Sequence, residues 1–140
     1  MSLFEQETAV TRVGDNHWRG CLTENWCVGT VPNGGYLMAI AARALSEALP
    51  HKDPLSMNGF YLSPTVVGEC DIFVEVLSEG RSTTQAVAKL YQKGEQKIQF
   101  TAAFTSLDKL YGETYMEVGP PEIPPYDTCQ NLPQAPIITM

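Results

Sequence analysis

The stretch from Gly34 to Leu49 constrains this chain more than any other, because a run of small and apolar residues is closed at both ends by helix punctuation. Leu37, Ile40, Ala41, Ala44, Leu45 and Ala48 recur at the helical period, and Met38, Ala39 and Ala42 keep the other side apolar too. Pro32-Asn33 supplies a start signal with Asn33 as N-cap, and Pro50 supplies the stop. A helix that is apolar nearly all round is a buried one. This helix is therefore expected at the hydrophobic centre of the domain.

Strand signals follow it. Leu55 to Leu62 is an apolar run closed by Ser63-Pro64, and Asp71 to Leu77 alternates with Ile72, Val74 and Val76 on one face. Thr84 to Tyr91 puts Ala86, Ala88 and Leu90 on one face, and Lys97 to Thr105 turns Ile98, Phe100, Ala102 and Phe104 inward. Ser78-Glu79-Gly80-Arg81 and Lys93-Gly94-Glu95 read as turns between them, which makes an antiparallel meander. Ahead of the helix, Trp18 to Leu22 and Asn25 to Gly29 give one or two further strands. The expected fold class is α+β, an antiparallel sheet wrapped around one buried central helix. Such a sheet has exposed edges, and pairing with a second copy or a second half covers one. A dimer, or a partner half on the same chain, is the expected assembly.

Six of the ten prolines fall between Gly119 and Met140: Pro120, Pro121, Pro124, Pro125, Pro133 and Pro136. Proline lacks an amide proton and fixes its own φ, so this segment is neither regular helix nor central strand. The expected organisation is a single domain over residues 1–110 and a Pro-rich extended tail or linker over 111–140. A linker that leads nowhere implies that the chain is the first part of something longer, or that the tail docks on a neighbouring surface.

Composition narrows the function. Nine Lys and Arg against sixteen Asp and Glu give a formal net charge of −7 and a pI near 4.7. That is too few cations for a broad nucleic-acid face. No apolar run approaches the ~20 residues of a membrane helix, and Met1 to Glu7 has no basic stretch followed by an apolar one. Cys21, Cys27, Cys70 and Cys129 have neither C-x-x-C spacing nor disulfide-scaffold density, and only His17 and His51 stand beside them. Neither a metal nor a cofactor is expected, and reduced thiols point to the cytoplasm.

Helix-then-meander with Pro32-Asn33-Gly34-Gly35-Tyr36 at the helix start resembles the hotdog fold of acyl-CoA thioesterases. Trp18-Arg19-Gly20, Phe60-Tyr61-Leu62-Ser63-Pro64, Glu79-Gly80-Arg81-Ser82 and Ala102-Ala103-Phe104 extend the match across Trp18 to Ser106. Together they resemble the N-terminal half of the double-hotdog, acyl-CoA thioesterase II-like family, in which Pro-Pro-Glu-Ile-Pro-Pro is similar to the connector into the second hotdog. The resemblance implies hydrolysis of acyl-CoA thioesters to free acid and CoA. It also implies the alternative, a non-catalytic half that binds acyl ligands or completes a catalytic second hotdog.

Thioester hydrolysis needs an activated water or carboxylate nucleophile and a polarised carbonyl. A helix start supplies the second, because its unpaired amides and dipole stabilise an oxyanion. Gly34 and Gly35 are so placed; equally, they serve only to let helix and sheet approach. The general base is harder to find. Asn33 stands where related single hotdogs carry His, Ala41-Ala42 where they carry an acid, and Glu47 is the helix's lone carboxylate. The resemblance implies that the double-hotdog family supplies its catalytic Asp, Thr or Ser, and Gln from the C-terminal half. The expected catalytic residues are Asn33, Gly35 and Asn58, with Asn33 or Asn58 positioning water and a partner supplying the base. The expected substrate-binding residues are Gly34, Tyr36, Met57, Phe60 and Arg81, the last to meet a CoA phosphate.

Overall fold

The structure is a computed structural model that describes residues 1–113 and 115–129. The chain divides into a unit spanning Met1–Lys109 and a second beginning at Leu110. In the second, the described residues include one short 3-10 turn, Tyr126–Thr128, closed by the Thr128 N–H on the Pro125 carbonyl. Pro133 and Pro136 lie outside the described residues.

The first unit opens with a short helix, α1 (Leu3–Glu7), held by a capping box. The Glu5 N–H donates to Ser2 Oγ, and Glu5 Oε2 accepts from the Ser2 N–H. A hairpin follows, β1 (Val10–Gly14) and β2 (His17–Leu22), turning through Asn16 at φ 55°. A 3-10 turn at Glu24–Trp26 leads into a small ribbon, β3 (Cys27–Val28) and β4 (Val31–Pro32), and then into α2 (Gly34–Ala48). Four strands complete the unit: β5 (Asp53–Tyr61), β6 (Gly68–Glu79), β7 (Thr83–Gln92) and β8 (Glu95–Thr105). The large sheet has the order β1-β2-β6-β7-β8-β5, antiparallel throughout.

The core lies between this sheet and one face of α2. Ile72 and Val74 from β6, Ala86, Ala88 and Leu90 from β7, and Ile98, Phe100 and Phe104 from β8 close over Leu37, Ile40, Ala41, Ala44 and Leu45. Each large side chain so buried contributes roughly 1.5–3 kcal/mol, which fixes the register of every strand that carries one. Lys93 and Gly94, both at positive φ, form the two-residue turn between β7 and β8.

Three expectations need correction. Val76 is 47% exposed, not inward with Ile72 and Val74: β2 pairs with β6 only as far as Phe73, which leaves Val76 without a neighbouring strand on that side. The helix is covered from the sheet side alone, so Met38, Ala39 and Ala42 remain half-buried. The N-terminal segment also contributes a helix and a strand that the hydrophobic pattern does not announce, because α1 has no buried residue and most of β1 is exposed.

Candidate active site

The amino end of α2 is built by its cap. Asn33 Oδ1 accepts from the Gly35 N–H at 2.8 Å, while the Asn33 N–H donates to the Trp26 carbonyl at 2.8 Å. The first helical bond runs from the Leu37 N–H to the Asn33 carbonyl at 3.1 Å. The Gly34 and Tyr36 amides are thereby left without an acceptor among the described residues. No acidic residue sits in the first turn, so the positive end of the helix dipole is uncompensated.

A cleft of about 310 Å³ opens beside Gly34. Val31 and Pro32 of β4, Gly34 and Leu37 of α2, Ile98 of β8, and Tyr61 with the following Leu62 to Thr65 form its walls. The Tyr61 hydroxyl donates to the Gly34 carbonyl at 2.8 Å, and a Cβ on Gly34 would stand 3.1 Å from the Tyr61 ring. Glycine at this position is what allows the ring to close on the helix. Burial pushes the Tyr61 phenol above its ordinary range, so it stays protonated and remains a donor. The Thr65 hydroxyl, buried in the cleft wall, has no hydrogen-bond partner among the described residues.

The structure brings together only part of the expected set. Gly34 stands in the cleft wall and Gly35 beside it, with the Gly35 amide already occupied by Asn33. Tyr36 is not a cleft residue: it is 3% exposed, and its hydroxyl donates to the Glu7 carbonyl at 2.8 Å and accepts from the Thr23 N–H. Desolvation raises its phenol as well, and hydrogen bonds from Thr23 only partly offset this. Asn58 and Phe60 point away from the helix. Gly59 pairs with Phe100 and Tyr61 with Ile98, both inward, so the alternation of β5 puts Asn58 and Phe60 beside Thr101 and Gln99 on the outer face. Met57 shares the inner face with Tyr61 and packs half-buried against the core. Arg81 lies at the far end of α2: its carbonyl accepts from His51, just past the helix C-terminus. Fifteen helical residues at ~1.5 Å each separate that end from Gly34 by roughly 22 Å.

Among the described residues no carboxylate or imidazole lines the cleft. Glu47 sits in the last turn of α2 and accepts from Trp18 Nε1 at 3.2 Å. His17 bonds Asp71 at 2.8 Å and stacks on Phe73. Among the described residues no three His, Cys, Asp or Glu side chains form a cluster able to hold a metal, and no helix is long and apolar enough to cross a membrane. The arrangement can therefore take up an apolar chain and polarise a carbonyl at its head. Tyr61 is not among the expected site residues; its place on the inner face follows from the register of β5 on β8.

Residues 22–105 match the model of the acyl-CoA thioesterase N-terminal domain. The chain belongs to that family. This thioesterase N-terminal domain is 32% identical to a Thermobifida fusca protein assigned as a thioesterase II, with a TM-score of 0.84 over 92% of this chain and 48% of the other. A conserved Alicyclobacillus acidocaldarius protein of unknown function with a hotdog fold superposes with a TM-score of 0.82, at 23% identity over 97% of this chain and 51% of the other, a likeness that speaks for the fold alone. The thioesterase-like protein TwmA of Talaromyces wortmannii is 29% identical over 96 residues, 66% of this chain and 28% of TwmA. The fold is the hotdog fold. The thioesterase N-terminal domain thus spans about half the length of the two solved structures and a smaller share of TwmA.

Proposed function

We propose that this domain binds acyl-CoA thioesters and takes part in their hydrolysis to free acid and CoA as one of two paired hotdogs. The observation that carries this reading is the apolar cleft at the amino end of α2, with the unoccupied Gly34 amide in its wall. The acyl chain lies against Leu37, Ile98 and Leu62, with Met57 further along the inner face of β5 to limit its depth. The thioester oxygen accepts from the Gly34 N–H and its neighbours at the helix start, where negative charge develops as the carbonyl is attacked. Gly35 joins this set when Asn33 releases its amide.

The general base comes from the second hotdog, because no described residue of the cleft can act as one. The pairing surface is the free edge of β5, bonded to β8 on one side only, together with the half-covered Met38 and Ala42 of α2. β5 ends beside the start of α2, so antiparallel pairing of two such edges brings the other hotdog's Asp53 end to this cleft. Arg81 of a second copy then approaches the cleft that its own chain keeps it from, where a guanidinium suits a CoA phosphate. The proposed location is the cytoplasm, in keeping with four free cysteines.

The test is calorimetric binding of decanoyl-CoA and of CoA alone to the purified chain, with CoA release followed by chromatography. Decanoyl-CoA is expected to bind more tightly than CoA, and Leu37→Trp, which fills the cleft, to abolish the difference. Equal binding of the two by the folded wild-type chain would sink the reading.

A further inference from the structure

The cap that shapes the cleft is itself held from outside, by a residue the cleft does not contain. Glu7, the last residue of α1, ties its own helix to the Glu24–Trp26 turn and to α2. One of its carboxylate oxygens accepts from Asn25 Nδ2 at 2.7 Å, the other from Trp26 Nε1, and its backbone carbonyl accepts from the Tyr36 hydroxyl at 2.8 Å. Phe4, one turn back, sets its ring edge-on to Trp26 at 5.2 Å. Trp26 in turn gives its carbonyl to the Asn33 N–H, and Asn33 Oδ1 takes the Gly35 N–H. An unbroken chain of hydrogen bonds and covalent links therefore runs from Glu7 through Trp26 and Asn33 to the helix start. The ribbon of β3 and β4, which contributes Val31 and Pro32 to the cleft wall, lies inside the loop this chain closes.

We propose that Glu7 is a positioning residue for the cleft: it fixes the loop from Thr23 to Asn33 on the helix start and so sets where the Asn33 cap and the Val31-Pro32 wall stand. This inference rests on the reading of the cleft as the acyl site. The chemistry asks for a carboxylate here. Two N–H donors from adjacent residues each need their own acceptor oxygen, and both oxygens of one ionised carboxylate supply them. A glutamine offers one oxygen, and its amide hydrogens face the second donor. Because α1 has no buried residue, its hold on the Glu24–Trp26 turn rests on Glu7 and on the Phe4 ring against Trp26.

The experiment compares Glu7→Gln and Trp26→Phe with wild type by NMR water-exchange rates of backbone amides and by calorimetric binding of decanoyl-CoA. Losing a hydrogen bond to a charged group is expected to speed exchange at Asn33 and Gly35 by roughly tenfold, while Leu90 and Phe100 on the central strands stay unchanged. Decanoyl-CoA binding is expected to weaken severalfold in both variants. Unchanged exchange at Asn33 and Gly35 overturns the proposal. So does acceleration of every amide alike, which would make Glu7 a contributor to overall stability only. Local acceleration with decanoyl-CoA binding kept at the wild-type value overturns it as well. If wild type binds no decanoyl-CoA, the acyl-site reading fails, and the hold of Glu7 on the cap is decided by exchange alone.

Discussion

The Tyr61 hydroxyl donates to the Gly34 carbonyl at 2.8 Å, tying the last residue of β5 to the first residue of α2 across the mouth of the cleft. A first-turn carbonyl already serves the helix, so this bond is a second use of the same oxygen. Tyr61→Phe keeps the ring against Phe100, where the two lie edge to face at 5.8 Å, and removes only the bond. The expected cost is ~0.5–1.5 kcal/mol, since Tyr61 is half exposed and water replaces its partner. Thermal melting reads this as a fall of roughly 4–8 °C for each kcal/mol. An unchanged Tm would mean that the bond does not form in solution.

Gly59 is the tightest close approach in the sheet. A Cβ there would meet the Phe100 ring at 2.5 Å, and Phe100 is fully buried, so the ring has nowhere to retreat. Gly59→Ala is expected to destabilise by ~1–3 kcal/mol, the range for overpacking a filled core. Gly112→Ala, with nothing within 4 Å of the added carbon, is the control and should leave urea unfolding unchanged. Equal midpoints for the two variants would show that β5 stands further from β8 than the register requires.

Gly59 also explains which parts of this molecule its sequence discloses. The helix and the three-strand meander were legible because each buries one face, and burial imposes a period of 3.6 or 2 on the residues. β5 buries little: Leu55 and Phe60 are both exposed, on an edge strand with a neighbour on one side. Its apolar residues therefore carry no clear alternation, and nothing in the sequence shows that Asn58 and Phe60, expected at the site, belong to the outer face. Arg81 stands at the far end of α2 from its own chain's cleft, and a hairpin tip shows nothing in sequence of the helix end it will meet. Glu7 left no signal at all, because its partners, Asn25, Trp26 and Tyr36, come together only in the folded chain. The Ser2-x-x-Glu5 capping box is the readable mark of α1 in the sequence.

Asp71 gives the sheet's outer face a pH dependence. Burial alone would raise its carboxyl, but hydrogen bonds from His17 at 2.8 Å and from the Arg19 guanidinium at 3.1 Å outweigh that and hold it below its ordinary 3.8. A group whose pKa is lower folded than unfolded stabilises the fold above the unfolded value, and that contribution fades as pH falls through the folded one. Asp71→Asn is therefore expected to cost a few tenths to ~1 kcal/mol at pH 7, the range of partly exposed pairs. The gap from wild type should narrow as pH falls below that ordinary value. Urea unfolding of both proteins at pH 7, 5 and 3 measures it, and a gap as wide at pH 3 as at pH 7 would refute the assignment.

Asn33 has two separable tasks, capping the helix and standing beside the proposed oxyanion, and substitution by aspartate divides them. Aspartate caps as well as asparagine and its charge suits the helix dipole, so Asn33→Asp should unfold within ~0.5 kcal/mol of wild type or slightly later. Asn33→Ala loses the bond to the Gly35 N–H and should cost ~1 kcal/mol. At the cleft the order reverses. A fixed negative charge at the helix start opposes the partial charge on the thioester oxygen, whereas alanine frees the Gly35 amide to meet it. Decanoyl-CoA is therefore expected to bind more weakly to Asn33→Asp than to Asn33→Ala, although the aspartate variant is the more stable protein. Binding that simply follows stability across the two variants would leave Asn33 a cap and nothing more, and would remove the helix start from the proposed chemistry.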